Sequence, residues 1–159
     1  NYLHDSHMRF ALRYGAHAIC EKPLVLNPWN VDALAEIENE TGKKINTILQ
    51  LRLHNSIIAL RNKVLSGPKN KVYEVDLQYM TSRGHWYNTS WKGDEAKSGG
   101  VATNIGIHFF DMLIWIFGSV QGVTLKTKDA YHASGILHLE RANVQWVLSI
   151  RYEHIQEPI

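Results

Sequence analysis

Apolar residues dominate the stretch from Ser98 to Gly118, and their arrangement predicts a buried helix. The stretch opens with the pair Gly99–Gly100 and closes at Gly118, and glycine is a common residue at the end of a helix. A helix that is apolar around most of its circumference belongs in a protein interior. The apolar positions are Val101, Ile105, Ile107, Phe109, Phe110, Met112, Leu113, Ile114, Ile116 and Phe117.

Three polar residues interrupt this apolar pattern. Asn104, His108 and Asp111 follow one another at spacings of four and three, and Trp115 continues the series. Such spacings place side chains on one face of a helix. A buried polar group without a partner costs about 1–3 kcal/mol. The stripe therefore predicts either a satisfied structural network or a cavity that holds a ligand.

Residues 1–51 alternate between helical and extended patterns with short connections. We expect helices that end near Tyr14 and Thr41, and strands over 16–20 and 45–51. This order is typical of a parallel, doubly wound sheet. A nucleotide-binding domain of this kind needs about five or six strands, and the sequence contains no G-x-G-x-x-G turn. We therefore expect the C-terminal part of a Rossmann-like domain, with its first half missing upstream.

The pattern changes after residue 51. A helix to about Leu65 and a strand over 72–80 precede a polar, aromatic-rich loop of about 18 residues, a length that usually has a function. The apolar helix follows, and three alternating segments then predict an antiparallel meander: 122–128, 133–139 and 144–152. We expect an α/β part over 1–51 and a partial, mainly antiparallel α+β domain with helices on one face over 52–159. The C-terminus is also expected to be incomplete.

Composition narrows the class of protein. The 159 residues are 45% hydrophobic with a net charge of +2 and no basic tract, so neither disorder nor nucleic-acid binding is expected. One cysteine, Cys20, excludes an internal disulfide and fits a reducing compartment. Asp111 and turn residues interrupt the longest apolar runs, so we expect no membrane span. The expected location is the cytoplasm.

Two motifs together carry a family resemblance. Glu21-Lys22-Pro23 ends a predicted strand, and the apolar helix has the form GG-x(7)-H-x-x-D. This combination resembles the Gfo/Idh/MocA family of NAD(P)-dependent oxidoreductases. Asn1-x-x-His4 resembles the strand-end motif that the family places beside the nicotinamide ribose, and Gln50-Leu51-Arg52 resembles its domain-crossover motif. The loop segments 81–87 and 90–93, together with 97–100 and 104–111, are most similar to one branch, the UDP-N-acetyl-2-amino-2-deoxyglucuronate 3-dehydrogenases of lipopolysaccharide O-antigen synthesis.

The resemblance implies a Rossmann domain that binds NAD. NADP is the alternative, and an acidic residue upstream of this sequence would determine which cofactor is bound. It also implies a sheet domain that closes the sugar site and forms a dimer or tetramer. The residues that it assigns to the cofactor are Asn1, His4, Glu21, Lys22 and Pro23.

The chemistry of sugar oxidation assigns roles to the catalytic candidates. An imidazole that titrates near neutrality suits proton removal from a hydroxyl, so His108 is the expected base. Lys22 would hydrogen-bond the same hydroxyl and stabilise the developing alkoxide. Many family members have an aspartate where this chain has Asn104. Asn104 would fix the histidine or contact the sugar. Asp111 would orient the ring or cap a backbone group, and a purely structural role for it is equally open.

A nucleotide-linked uronate carries a carboxylate and a pyrophosphate, and its site therefore needs cations. Arg52 and Arg83 suit bidentate binding of these groups, and Lys92 is a further candidate. Trp86 and Tyr87 would stack on the sugar or on uracil, unless they only fix the loop to the sheet. We expect no metal site, because no ligand pattern accompanies the isolated histidines.

The resemblance therefore implies an oxidoreductase that oxidises the C3 hydroxyl of UDP-linked 2-acetamido-2-deoxy-glucuronic acid with NAD. The first alternative is the same hydride chemistry on another sugar or polyol. The second, for this chain alone, is a non-catalytic binding or oligomerisation module, because it lacks a complete nucleotide site.

Overall fold

The computed structural model describes residues 1–151 and residue 153. The first part of the chain folds as helix, strand, helix, strand, in the predicted order. Its elements are α1 (His4–Arg13), β1 (Ala18–Cys20), α2 (Trp29–Thr41) and β2 (Ile45–Thr47), and the two strands pair in parallel. α2 ends at Thr41, as the sequence predicts, and Gly42 closes it in the left-handed conformation with φ of 66°. A small core joins the helices to the sheet: Met8, Ala18, Cys20 and Leu34.

The crossover between the two parts differs from its prediction. β2 ends at Thr47 rather than at residue 51, and a 3₁₀ helix follows over Gln50–Leu53. α3 (Asn55–Ser66) then leads to β3 (Tyr73–Met80). The apolar residues Leu49 and Leu51 that suggested a longer strand belong to this turn and its entry, so the crossover turns toward the second part of the chain.

The second part contains a four-stranded sheet in the order β3-β6-β5-β4. The last three strands, β4 (Val120–Lys128), β5 (His132–Leu139) and β6 (Ala142–Ser149), form the predicted antiparallel meander. β3 pairs with β6 in parallel, so the sheet is mixed. β6 ends before Tyr152, which lies outside the described residues.

The apolar segment forms two helices where the sequence predicts one, and a short helix precedes them. α5 (Glu95–Ser98) is separated from α6 (Gly100–Asn104) at Gly99, whose φ of +84° is in the left-handed region that glycine favours. Ile105 then interrupts the segment before α7 (Gly106–Phe117). A further short helix, α4 (Trp86–Thr89), lies within the predicted loop. Asn104 and His108 therefore belong to different helices rather than to one continuous face.

The main core lies between α7 and the sheet. Alternate residues of β6 point into it, and Val144, Trp146 and Leu148 are each at most 4% exposed. The ring of Phe110 meets Trp146 edge-on, with the centroids 5.1 Å apart. Burial of a large apolar side chain contributes about 1.5–3 kcal/mol, so this interface fixes the position of α7 against the sheet.

One described segment meets the length and composition expected of a membrane-spanning helix. It covers Glu95–Phe117 and therefore α5 to α7 together. Core helices of globular proteins satisfy the same criterion, and this segment contributes Val101, Leu113, Ile116 and Phe117 to the main core. The prediction of no membrane span therefore does not follow from composition alone. Packing of this segment against the sheet accounts for its apolar residues.

Candidate active site

A cavity of about 300 Å³ lies where the end of β1 meets the break between α6 and α7. It brings together three residues that the sequence assigns to catalysis, Lys22, Asn104 and His108, and one assigned to the substrate, Arg83. A larger cavity of about 380 Å³ lies between α3, β3 and α7, but its lining is mainly apolar and contains no predicted site residue. The first cavity is lined by Lys22, Gln50, Leu51, Tyr79, Arg83, Asn104, Ile105, His108 and Phe109.

Lys22 reaches the cavity from the turn that follows β1. Its peptide bond to Pro23 is cis. Its Nζ donates to the backbone carbonyl of Asn104 at 2.5 Å and lies 3.4 Å from Oδ1 of the same residue. Burial lowers the pKa of Lys22, and the positive charges of Lys92 and Arg83 lower it further, against the opposing effect of Glu21. Lys22 is therefore a hydrogen-bonded cation in an electropositive environment.

His108 lines the same cavity from the first turn of α7. Its Nδ1 is buried and has no hydrogen-bond partner among the described residues. Burial and the neighbouring charge of Lys22 lower the pKa of His108, while Glu21 and Asp111 act in the opposite direction. The imidazole is thus kept neutral at physiological pH, which is the state that can accept a proton.

The predicted cofactor residues form hydrogen bonds around the turn after β1. Nδ1 of His4 donates to the carbonyl of Pro23 at 2.8 Å, which fixes the tautomer of this ring. Nδ2 of Asn1 donates to the carbonyl of Ser98 at 2.8 Å and to Oδ1 of Asn104 at 3.3 Å. The side chain of Glu21 is exposed. The assignment of these residues to a cofactor stays a prediction.

Arg52 and Asp111 bind each other, which agrees with the structural role left open for Asp111. Nε of Arg52 donates to one carboxylate oxygen of Asp111 at 2.6 Å, and Nη2 donates to the other. The direct hydrogen bonds to Asp111 raise the pKa of Arg52. Nε and Nη2 of Arg52 are thus engaged by Asp111, and the assignment of both residues to the substrate stays a prediction.

Cations and aromatic rings lie together beside the cavity. Nζ of Lys92 lies 5.3 Å from the ring centroid of Trp86 and 5.8 Å from that of Trp91. These distances are typical of cation–π contacts. The two indoles are 51% and 40% exposed, so both retain free ring surface.

Tyr87 has a different position from the one predicted. It is only 3% exposed and belongs to the main hydrophobic core. Burial raises the pKa of its hydroxyl. The prediction that Tyr87 stacks on the substrate is therefore wrong, and this ring fixes the loop to the sheet.

Sequence reasoning assigned no site role to five residues that line the cavity: Gln50, Leu51, Tyr79, Ile105 and Phe109. Gln50 lies within the predicted crossover motif without an assigned role, Tyr79 lies in the strand predicted over 72–80, and Phe109 was listed among the apolar positions of the helix. The rings of Tyr79 and Phe109 contact each other, with centroids 4.9 Å apart. The position of Tyr79 near the end of a strand was an available signal for a site residue. Among the residues that the structure describes, no three His, Cys, Asp or Glu side chains cluster as metal ligands.

Two family models match separate parts of the chain. Residues 1–48 match the NAD-binding Rossmann fold of the Gfo/Idh/MocA oxidoreductase family. Residues 65–147, more than half of the chain, match the C-terminal alpha/beta domain of the same family. Both matches agree with the order of the two sheets in the structure.

Solved structures and curated proteins extend the comparison. The WlbA (WbpB) dehydrogenase of Thermus thermophilus, solved with NAD and UDP-GlcNAcA, is 48% identical with a TM-score of 0.92, covering 99% of this chain and 51% of that one. The WlbA dehydrogenase of Bordetella pertussis, solved with NADH and UDP-GlcNAcA, has a TM-score of 0.84 over 95% of this chain and 47% of that one. At 21% identity it supports the fold alone.

D-glucoside 3-dehydrogenase of Escherichia coli is 25% identical over 118 residues, which are 74% of this chain and 34% of that protein. The chain thus spans about half the length of the similar solved proteins and about a third of this curated relative. The agreement of both family models with the fold leads to one conclusion: the chain belongs to the Gfo/Idh/MocA family of oxidoreductases.

Proposed function

We propose that the complete protein oxidises the C3 hydroxyl of UDP-linked 2-acetamido-2-deoxy-glucuronic acid, with hydride transfer to NAD, in lipopolysaccharide O-antigen sugar synthesis. The observation that carries the proposal is the meeting of Lys22 and His108 in one cavity, together with Arg83. The 48% identity to a dehydrogenase solved with NAD and UDP-GlcNAcA supports the same substrate and cofactor.

The two reactive side chains have complementary roles. His108 is held neutral by its lowered pKa, so it accepts the proton of the C3 hydroxyl. Lys22 donates a hydrogen bond to the oxygen from which the proton leaves and stabilises the alkoxide. Bound NAD supplies the acceptor for the C3 hydride. The turn formed by Lys22 and Pro23, which His4 hydrogen-bonds, would border the nicotinamide end of the cofactor.

The charge of the site favours an anionic substrate. Arg83 lines the cavity, and Lys92 lies close enough to Lys22 to lower its pKa. Glu21 is the acidic residue that acts on Lys22 in the opposite direction. A carboxylate and a pyrophosphate would offset this excess of positive charge, and an arginine can bind either group through two hydrogen bonds.

The organisation of the complete protein belongs to the same proposal. Residues 1–51 form the C-terminal part of the NAD-binding domain, and residues 52–159 form part of the substrate and oligomerisation domain. The protein acts in the cytoplasm as a homo-oligomer without nucleic acid or membrane. Light scattering of the complete protein tests the assembly, and a monomeric mass would contradict it.

The enzymatic test follows NADH absorbance with the complete protein, NAD and UDP-GlcNAcA. We expect turnover by the wild type and loss of most of the rate in His108→Asn and Lys22→Ala. His7→Asn is a matched control, because His7 is exposed on α1 and does not line the cavity. No NADH from the wild-type protein would overturn the proposal.

A second candidate is the same chemistry on a neutral sugar or polyol. The pairing of Arg52 with Asp111 favours it, because this pairing engages one of the two arginines expected to bind a carboxylate. A panel of UDP-GlcNAcA, UDP-GlcNAc and unmodified sugars separates the two candidates. For the 159-residue chain by itself, the alternative is a non-catalytic module. Calorimetric titration with NAD measures whether this chain binds the cofactor.

A further inference from the structure

The helical segment that contains His108 is interrupted for a single turn. In a continuous α-helix the amide of His108 would donate to the carbonyl of Asn104, four residues earlier. It donates instead to the carbonyl of Ile105, at 3.3 Å. The amide of Ile105 still donates to Val101 at 3.0 Å, so the helix before the break is intact. The carbonyl of Asn104 is therefore released from the helical ladder.

The ammonium group of Lys22 donates a hydrogen bond to this released carbonyl. Its Nζ donates to the carbonyl oxygen of Asn104 at 2.5 Å and lies within 3.4 Å of the side-chain Oδ1. Nδ2 of Asn1 also donates to this Oδ1, at 3.3 Å, and to the carbonyl of Ser98, at 2.8 Å. The side chain of Asn104 is thus fixed from one side, and the residue presents two acceptors to a single ammonium group.

These contacts link a backbone irregularity to the reactive lysine. An ammonium group has three N–H donors, and two acceptors from one residue leave a donor for the cavity that Lys22 shares with His108. We propose that the break at Ile105 is a positioning device, in which the freed carbonyl and the side chain of Asn104 together hold Lys22 in place beside His108. The inference rests on the proposed function, in which this lysine contacts the reacting hydroxyl.

The packing of Gly106 explains where the break occurs. A Cβ at this position would come within 2.7 Å of Cε2 of Phe110 and 2.9 Å of Cδ1 of Leu148. Leu148 is a fully buried residue of β6. Only glycine lets the first turn of α7 approach the sheet this closely, so the sheet determines where α7 begins and which carbonyl is released.

An amide at position 104 also holds the lysine without adding charge. The charged groups that act on Lys22 are Glu21 on its own turn and Lys92 and Arg83 on the loop. Lys22 in turn acts on His108 of α7. An aspartate in place of Asn104 would add an opposite charge in contact with the ammonium, which favours its charged form. The amide therefore fixes the position of Lys22 and leaves its lowered pKa in place.

The test compares Asn104→Asp with the wild type in the complete enzyme, using NAD and UDP-GlcNAcA across pH. We expect the alkaline limb of kcat to move upward by about one pH unit. We expect the plateau value of kcat and the KM to change little, because aspartate keeps both oxygens that accept from Lys22. Asn62→Asp is the matched control, because Asn62 is exposed on α3 and adds the same charge away from the cavity.

Gly106→Ala tests the backbone contribution separately. It retains the side chain of Asn104 but displaces the start of α7, so kcat should fall without an upward shift of the alkaline limb. Circular dichroism establishes that the variant is folded. If Gly106→Ala does not fold, Asn104→Ala removes only the side-chain acceptor and should shift the alkaline limb downward. An active wild type with equal pH profiles for Asn104→Asp and Asn62→Asp would overturn the positioning role.

Lysine-selective NMR separates this inference from the proposed function. The pKa of Lys22 Nζ is measured without substrate or cofactor and should rise in Asn104→Asp relative to the wild type. An unchanged pKa of Lys22 contradicts the inference even in an active enzyme. A wild type that is inactive with UDP-GlcNAcA contradicts the proposed function alone.

Discussion

The guanidinium of Arg52 and the carboxylate of Asp111 form a bidentate pair that joins the crossover between the two sheets to the helix that carries His108. The Asp111 side chain is 10% exposed and that of Arg52 is 40% exposed, so the carboxylate depends on this partner for its hydrogen bonds. The pair therefore has a structural role within the site.

Arg52→Ala should destabilise the protein by about 1–3 kcal/mol, because it leaves a nearly buried carboxylate unpaired. Urea unfolding measures the change. Arg9→Ala is the control, since Arg9 pairs with Asp5 across one turn of α1, and such a pair contributes about 0.3–0.5 kcal/mol. Equal losses in the two variants would contradict the structural role.

The acid limb of kcat/KM should lie below pH 6.5, the ordinary pKa of a histidine. Burial and the charge of Lys22 lower the pKa of His108, so the imidazole remains neutral and able to accept a proton into mildly acidic solution. NMR titration of the His108 ring in Lys22→Met should show a higher pKa, because a positive neighbour is removed. A lower value in that variant would be inconsistent with the geometry of the cavity.

The same shift predicts how stability depends on pH. His108 is more easily protonated in the unfolded chain than in the fold, so protonation favours unfolding. The contribution of His108 to the free energy of unfolding is fully present above pH 6.5 and declines as the pH falls through the lowered pKa. In His108→Asn this part of the pH dependence should disappear, as measured by urea titrations at several pH values.

The neighbouring aromatic residues Tyr87 and Trp86 should differ in how much their truncation lowers stability. Tyr87→Ala removes a ring that is 3% exposed and should cost about 3–5 kcal/mol of stability. Trp86→Ala removes a ring that is 51% exposed, so it should change stability by less than about 1 kcal/mol while weakening substrate binding. Unfolding and binding measurements on both variants check this contrast, and a stable Tyr87→Ala protein would refute the core assignment.

Arg83→Ala should raise the KM for UDP-GlcNAcA by about ten- to a hundredfold, because a charge-assisted pair is lost. The KM for neutral UDP-GlcNAc should change less if Arg83 binds the carboxylate. Lys126→Gln, at an exposed position of β4, is the charge-matched control. Equal effects of Arg83→Ala on both sugars would assign this arginine to the pyrophosphate instead.

Local patterns were sufficient to predict most of the fold. The alternation of β5 and β6, the helical periods and the glycines at 42 and 118 each reflect interactions within a few residues. The parallel pairing of β3 with β6 did not follow from them, because a strand pattern does not specify its partner. The end of β2 at Thr47 was missed for a related reason, since the short turn after it repeats the same apolar spacing.

The part of the site that could be predicted from sequence consists of residues in recognisable motifs. Lys22 and His108 were expected to converge, and the structure places both on one cavity. The break at Ile105 was not predictable, because it depends on how Gly106 meets Leu148 of the sheet. Pairing of Arg52 with Asp111 and burial of Tyr87 also depend on tertiary contacts, which residue type alone does not specify.

The parallel pairing of β3 with β6 also affects how the site can form and open. Glu74 and Asn143, on these neighbouring strands, are bonded across 69 residues of chain, and α4 to α7 all lie within that interval. Closing so long a loop costs entropy before its contacts form, which slows folding. The helix that carries His108 is therefore enclosed by a non-local strand pairing, and its amides should exchange with solvent mainly through cooperative opening of the sheet.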